Sequence, residues 1–213
     1  MKLARSIILI LLCISLVPSV VLGQTDRIDE LKEKAEKGKG YAQVLLALKY
    51  EKGDGVKQDF KKAFKWWEKA AEQGNMYAEH QIAHMYESGK GIERNMPLAI
   101  KWYRSAAEKG NKFSPFSIGN IYQNGIGVPE DDAEAVKWYL KAAEQGLIDA
   151  QFNLGNMYSK GEGVPENDAE AVKWYLKAAE QGDASAQFNL ANMYTEGEGV
   201  PENDAEAVKW YLK

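Results

Sequence analysis

An all-α solenoid of 36-residue helix–loop–helix repeats is the fold this sequence predicts, and three observations predict it. Trp66, Trp102, Trp138, Trp174 and Trp210 stand at intervals of 36 residues. Tyr86, Tyr122, Tyr158 and Tyr194 keep the same step, as do Gly38, Gly74, Gly110, Gly146 and Gly182. Self-similarity at a period of about 20 to 50 residues marks stacked supersecondary units, each too small to bury its apolar face alone. Such an array presents a surface; the period does not name what the surface holds.

Ahead of the repeats stands a segment of another kind. Lys2 and Arg5 precede an apolar run from Ile7 to Val17, Pro18 breaks it, and Val21-Leu22-Gly23 supplies modest side chains before Gln24. Residues 1–23 therefore have the pattern of a secretory signal peptide, which places the mature chain in a periplasm or outside the cell. The competing reading is an uncleaved anchor, but the apolar run falls short of the roughly 20 residues a spanning helix needs. No later stretch is apolar enough to cross a membrane. Cleavage would remove Cys13, the only cysteine, and with it thiol and disulfide chemistry. It would also move the formal charge from −4 to −6, by loss of Lys2 and Arg5. Lys and Glu alternate without a basic cluster, so the footprint of a nucleic-acid partner is absent.

Residues 24–40 predict an amino-terminal capping helix over Asp26 to Lys37, with Ile28, Leu31 and Ala35 inward and charges elsewhere. Five units follow over 41–213, at 41–76, 77–112, 113–148, 149–184 and 185–213. In the fourth unit, Ala150, Leu154, Met157 and Tyr158 form the apolar stripe of a first helix, A. Gly155 within that helix costs about 1 kcal/mol against alanine and marks a close approach between helices. Gly161-Glu162-Gly163-Val164-Pro165 cannot continue a helix and forms the connecting loop. Asn167 and Glu170 have the spacing of a capping box that starts the second helix, B. Ala171, Trp174, Tyr175, Ala178 and Ala179 face inward on helix B, with Glu170, Lys173, Lys177 and Glu180 on its solvated side, and Gly182 supplies a left-handed stop. Residues 163–177 and 199–213 are identical, and 127–141 differs from them only at Asp131. The fifth unit stops at Lys213, before the Ala-Ala-Glu-Gln-Gly that closes the fourth, so a fragment of a longer protein is expected.

Ala-Gln-Phe-Asn-Leu-Gly-Asn-Met-Tyr, then Gly-Glu-Gly-Val-Pro, then Ala-Val-Lys-Trp-Tyr-Leu-Lys-Ala-Ala-Glu-Gln-Gly, resembles the Sel-one-like repeat, a longer relative of the tetratricopeptide repeat. The resemblance covers residues 41–213. It implies a right-handed α-solenoid with helix A lining the concave face, and a non-catalytic adaptor binding a protein or peptide partner. Two alternatives come with it. One is a β-lactam-binding or hydrolysing enzyme of the secreted, cysteine-rich branch, whose paired cysteines the mature chain lacks. The other is a quality-control adaptor of a secretory pathway; no Asn-x-Ser/Thr sequon occurs, which leans against it.

Residues with chemical potential are few. His80 and His84 have the one-turn spacing of a zincin motif, but Gln81 stands where the general base would be and no third ligand follows at a fixed offset. In the repeat register they replace Phe116, Phe152 and Phe188, and Asn120, Asn156 and Asn192, so variation of one face explains them. Gly161-Glu162-Gly163 lacks the third glycine or lysine of a phosphate loop and joins two helices. The Trp and Tyr stripes recur at every hairpin interface and are expected in the core. The carboxylates repeat on solvated faces, and no candidate nucleophile has a histidine near it in register. Neither catalysis nor a cofactor is expected. What remains is a ladder of i, i+4 pairs: Phe116 and Asn120, Phe152 and Asn156, Phe188 and Asn192, continued by His80 and His84. These line the face of helix A off the Leu-Tyr stripe, with Ser159, Lys160, Thr195 and Glu196 nearby. Asparagine amides suit an extended peptide backbone, and aromatic rings add contact area at little rotamer cost. The phenylalanines equally suit packing between neighbouring A helices, and both uses can hold at once.

Overall fold

The computed structural model describes residues 28–213, so the expected signal peptide and residues 24–27 lie outside the described residues. Eleven α-helices make up the regular structure among them. The first, α1 (Ile28–Glu36), precedes five hairpins. These are α2 (Gly40–Lys52) with α3 (Phe60–Glu72), α4 (Met76–Ser88) with α5 (Met96–Glu108), α6 (Phe113–Gln123) with α7 (Asp132–Glu144), α8 (Ile148–Lys160) with α9 (Asp168–Glu180), and α10 (Ala184–Glu196) with α11 (Asp204–Tyr211). Each helix packs chiefly on its neighbours in the chain, the arrangement of a solenoid rather than of a single-core globule. No described helix is long and apolar enough to cross a membrane.

The capping helix buries Leu31 and Ala35 against the first hairpin, with Ile28 half-buried beside them. Small residues let each helix B sit tightly: Ala135, Ala142, Ala171 and Ala178 are fully buried. Gly155 does mark a close approach, and the approaching group is an aromatic ring. A Cβ there would lie 2.5 Å from Tyr175 Cδ1, as one at Gly119 would lie 2.6 Å from Tyr139 Cδ1.

Of the expected capping box, half is realised. Asn167 Oδ1 accepts from the backbone N–H of Glu170 at 3.1 Å, and Asp59, Asn95, Asp131 and Asn203 cap their own B helices likewise. The Glu170 carboxylate does not reach back; it pairs with Lys173. The N–H it would have taken, that of Asn167, donates instead to the Tyr158 carbonyl at 2.8 Å. That bond ties the start of helix B to the end of helix A, and the same tie joins Asp131 to Tyr122 and Asn203 to Tyr194.

The loop glycines hold the units together. Gly163 has φ +70°, and a Cβ on it would lie 2.4 Å from the carbonyl carbon of Asp132, at the start of the preceding B helix. Gly199 meets Asp168 in the same way at 2.3 Å. Turn formation is thus one reason for these glycines and the abutting backbone of the neighbouring unit is the other.

The indoles do wedge between hairpins. Trp138, Trp174 and Trp210 are 9%, 7% and 6% exposed, and each joins a core cluster centred on the preceding unit. Trp66 and Trp102 are less covered, an exception to the expected uniform core. Only α1 precedes the hairpin that carries Trp66. At Trp102 the covering cation is missing: Lys141, Lys177 and Lys213 sit over the rings three residues before them, at 4.0, 3.9 and 3.9 Å, whereas Ser105 holds that place after Trp102.

A buried polar seam, unread in the sequence, joins the units. Gln43, Gln151 and Gln187 donate to the carbonyls of Ala35, Ala143 and Ala179, near the end of the preceding helix. Gln73 and Gln181 donate to Gln43 Oε1 and Gln151 Oε1 at 2.7 Å. In the second unit a Glu79–Lys109 ion pair replaces the paired amides, and it leaves Glu79 Oε2 buried without a partner.

Candidate functional site

Helix B builds the exposed face of helix A. In each unit an aromatic residue of helix B points its polar atom toward the face that the Phe–Asn ladder occupies. Tyr139 Oη lies 2.7 Å from Asn120 Oδ1 and 2.7 Å from Gln123 Oε1. Tyr175 Oη donates to Asn156 Oδ1 at 2.7 Å, and Tyr211 Oη to Asn192 Oδ1 at 2.6 Å. The rings carry the phenylalanines: Phe116 on Tyr139, Phe152 on Tyr175 and Phe188 on Tyr211, at centroid distances of 5.6, 6.0 and 5.9 Å.

Both expected uses of the phenylalanines are visible. Phe116 and Phe152 are half-buried and pack on core clusters that reach into the following unit. Phe188, on the last unit, is 56% exposed. The asparagines do more than solvate the face. The oxygens of Asn156 and Asn192 accept from tyrosine hydroxyls, and Asn120 shares the single Tyr139 proton with Gln123, so each amide oxygen lies inward with its NH₂ group turned to the face. Asn189 Nδ2, 3.5 Å from Asn156 Oδ1, adds a link between successive units. Burial raises the Tyr139 phenol to about 12, so it stays a neutral donor.

The second unit departs from the ladder. His80 Nδ1 lies 2.9 Å from Ser114 Oγ, and its ring packs 5.2 Å from Tyr103 and 6.4 Å from Phe113. Burial, with a smaller contribution from the charge of His84, lowers its pKa to about 4 against an opposing pull from Glu87. The imidazole is therefore neutral near pH 7. No candidate nucleophile has a histidine near it in register, and register alone does not show that Ser114 and His80 meet across two units. Ser114 is 0% exposed, and its hydroxyl donates to Asn111 Oδ1 at 3.1 Å, the same oxygen that accepts the backbone N–H groups of Phe113 and Ser114 at the start of α6, so Ser114 is closed to a substrate. His84 is exposed, its Nδ1 3.7 Å from Glu87 Oε2. Among the described residues, no group of three or more His, Cys, Asp or Glu side chains is placed to hold a metal ion.

Two carboxylates that sequence reasoning passed over share this face. Tyr103 Oη donates to Glu87 Oε2 at 2.7 Å, and Trp67 Nε1 donates to Glu51 Oε2 at 3.4 Å. Burial alone would raise the Glu87 pKa. The adjacent His84 imidazole, the hydrogen bond from Tyr103 and the fields of both histidines outweigh it and hold the carboxyl below its ordinary value. The constant offset between each face residue and its helix-B partner was the available signal: 16 residues from Glu51 to Trp67, from Glu87 to Tyr103 and from Gln123 to Tyr139.

Fold and face together define a class of protein, a solenoid scaffold of stacked helical hairpins with one continuous, regularly furnished surface. Within that class the chain belongs to the Sel1 repeat family, whose model matches residues 40–75, 77–111, 116–147, 148–183 and 184–213. Among solved structures it is similar to a protective antigen of uropathogenic Escherichia coli strains displaying an SLR fold, at a TM-score of 0.82 and 39% identity over 87% of this chain. This chain spans 40% of the length of that antigen. It is also similar to a Sel1 repeat protein from Oxalobacter formigenes, with a TM-score of 0.76 and 35% identity, covering 87% of this chain and 82% of that one. A sel1 repeat protein from Klebsiella pneumoniae matches at a TM-score of 0.51 and 25% identity, over 86% of this chain and 89% of that one. The comparison with curated proteins gave no match.

Proposed function

We propose that this chain is an exported, non-catalytic scaffold that holds an extended segment of a partner protein along its helix-A face. One observation carries the binding reading. Asn120, Asn156 and Asn192 recur once per unit with the amide oxygen bound to a helix-B tyrosine. Each therefore offers N–H donors in a fixed direction, beside a phenylalanine ring held at a fixed angle. A row of oriented donors one unit apart matches the carbonyl oxygens of an extended chain, and side chains already immobilised lose little entropy on binding. Family membership supports the adaptor role, and the amino-terminal pattern of residues 1–23 supports export.

The test keeps the fold and removes the donors. Replacing Asn120, Asn156 and Asn192 together by aspartate leaves an oxygen for each tyrosine hydroxyl and takes away all three NH₂ groups. The probe is an array of uncharged random decapeptides. Capture should fall at least tenfold while the melting curve holds, since a donor lost from a desolvated contact costs roughly 1–3 kcal/mol. A control triple at Lys137, Lys173 and Lys209, which pair on the outer face with Glu134, Glu170 and Glu206, should bind normally. Loss confined to the lysine triple would move the binding surface to helix B and end this reading.

A further inference from the structure

We propose that the helix-A face of the first two units is a docking surface for a segment combining apolar and cationic side chains, with its Lys or Arg groups meeting Glu51 and Glu87. The inference deepens the peptide-binding reading above and rests on it.

The face changes character along the array. Units three to five carry Phe and Asn, with Gln123, Ser159 and Thr195 where units one and two carry Glu51 and Glu87. In unit one, Tyr41, Val44, Leu45, Leu48 and Glu51 fall within about a third of the helix circumference at 100° per residue. Tyr41 and Leu45 are 53% and 39% exposed, and the next large exposed apolar residue after Met76 is Phe188, at the far end of the described chain. An apolar surface thus lies open where the amide ladder is absent.

Among the described residues, no Lys or Arg pairs with the charge on that surface. Glu33, Asp54, Glu79, Glu134, Glu170 and Glu206 all pair with lysine, whereas neither Glu51 nor Glu87 meets a Lys or Arg among the described residues. A helix-B aromatic anchors one oxygen of each, Trp67 for Glu51 and Tyr103 for Glu87. The other oxygen has no donor among the described residues and is not sealed from solvent. Exposed His84 lies beside Glu87, its Nδ1 at 3.7 Å. Two oriented, half-buried carboxylates beside open apolar surface suit a long cationic side chain, whose methylene stem covers the apolar part while its head reaches the carboxylate. Successive A helices touch through their side chains at His80 and Ser114 and at Asn156 and Asn189, and helices in contact lie about 8–10 Å apart. A segment in the polyproline II conformation repeats its side on every third residue, roughly 9 Å on. The matching segment therefore carries cations three residues apart with apolar residues between them.

The experiment uses the mature chain from Gln24 to Lys213 and three labelled, end-blocked decapeptides. These differ only in carrying Lys, Gln or Glu at two positions three residues apart around a Pro-Leu pair. Anisotropy should show the Lys peptide binding at least tenfold tighter than the Gln peptide, with the Glu peptide weakest and the preference fading as salt rises. In the Glu51→Gln/Glu87→Gln variant that preference should vanish while the Gln peptide binds as before. Glutamine keeps an oxygen for Trp67 and Tyr103, and a melting curve checks that the fold survives. Equal binding of Lys and Gln peptides to the unmodified chain overturns this inference and leaves the scaffold reading standing. A Lys preference that persists in the variant overturns the assignment to these two residues. Failure of all three peptides to bind overturns both readings together.

Discussion

His80 is where pH should act on this fold. It titrates near its ordinary 6.5 in the unfolded chain, while burial holds it to about 4 in the folded one. Between those values the unfolded state takes up a proton that the folded state refuses. This contribution to stability is intact above about pH 6.5, declines as pH falls through the window, and levels off below about 4. His80→Phe, the residue found at Phe116, Phe152 and Phe188, should flatten that stretch of a plot of urea midpoint against pH. An unchanged slope would assign the effect to another group. Trp138 is the residue where packing should matter most. It is 9% exposed, clusters with Met96, Tyr103, Ile118 and Ile121, and donates to Glu134 Oε1 at 2.9 Å. Trp138→Ala should cost about 3–5 kcal/mol in urea unfolding.

Between elements, the joints are the loop glycine and the buried polar seam. Gly163 and Gly182 both have positive φ, at +70° and +89°, but only Gly163 has backbone where a Cβ would stand. Gly182→Ala should cost about 1–2 kcal/mol, the strain of a left-handed conformation alone. Gly163→Ala should cost clearly more, because the start of α7 cannot move without opening the joint between units. Equal losses would mean that the two units are not held at that contact. The seam yields a prediction of opposite sign. Replacing Glu79 and Lys109 together by glutamine would rebuild the amide pair of Gln43 with Gln73 and Gln151 with Gln181, and give the site a donor for the Ala71 carbonyl. Removing an orphaned buried acceptor should leave stability unchanged or raise it by about 1–3 kcal/mol. A lower urea midpoint would show that the ion pair contributes more than its desolvation costs.

At the scale of the whole array, each unit touches only its neighbours, so stability is close to a sum of units and joints. Amide exchange should be slowest in α7 to α9, which are packed on both sides. It should be fastest in α11, whose Val208 and Tyr211 are 54% and 46% exposed. Uniform protection along the chain would argue for one cooperative block. The export reading is checked separately: intact mass of protein from its native host should show a chain beginning near Gln24, and a product retaining Met1 to Gly23 would refute it.

The sequence by itself determined the period, the hairpins and the inward stripe. Trp174, Ala178 and Leu154 could be placed because helical spacing and a 36-residue repeat are properties of the chain alone. The Phe–Asn ladder was legible for the same reason. Only the tertiary structure decided what those residues do there. The tyrosine hydroxyl that orients each asparagine comes from the other helix of the hairpin, 19 residues on, and the ring it belongs to had looked like simple core. Ser114 meets His80, and Gly163 meets Asp132, across a joint between units. Glu51 and Glu87 looked like two more surface carboxylates until helix B placed an aromatic donor beside each and no lysine came near. Periodicity specifies which face a residue occupies. Partners on neighbouring helices depend on how those faces are brought together, and that is fixed only when the helices pack.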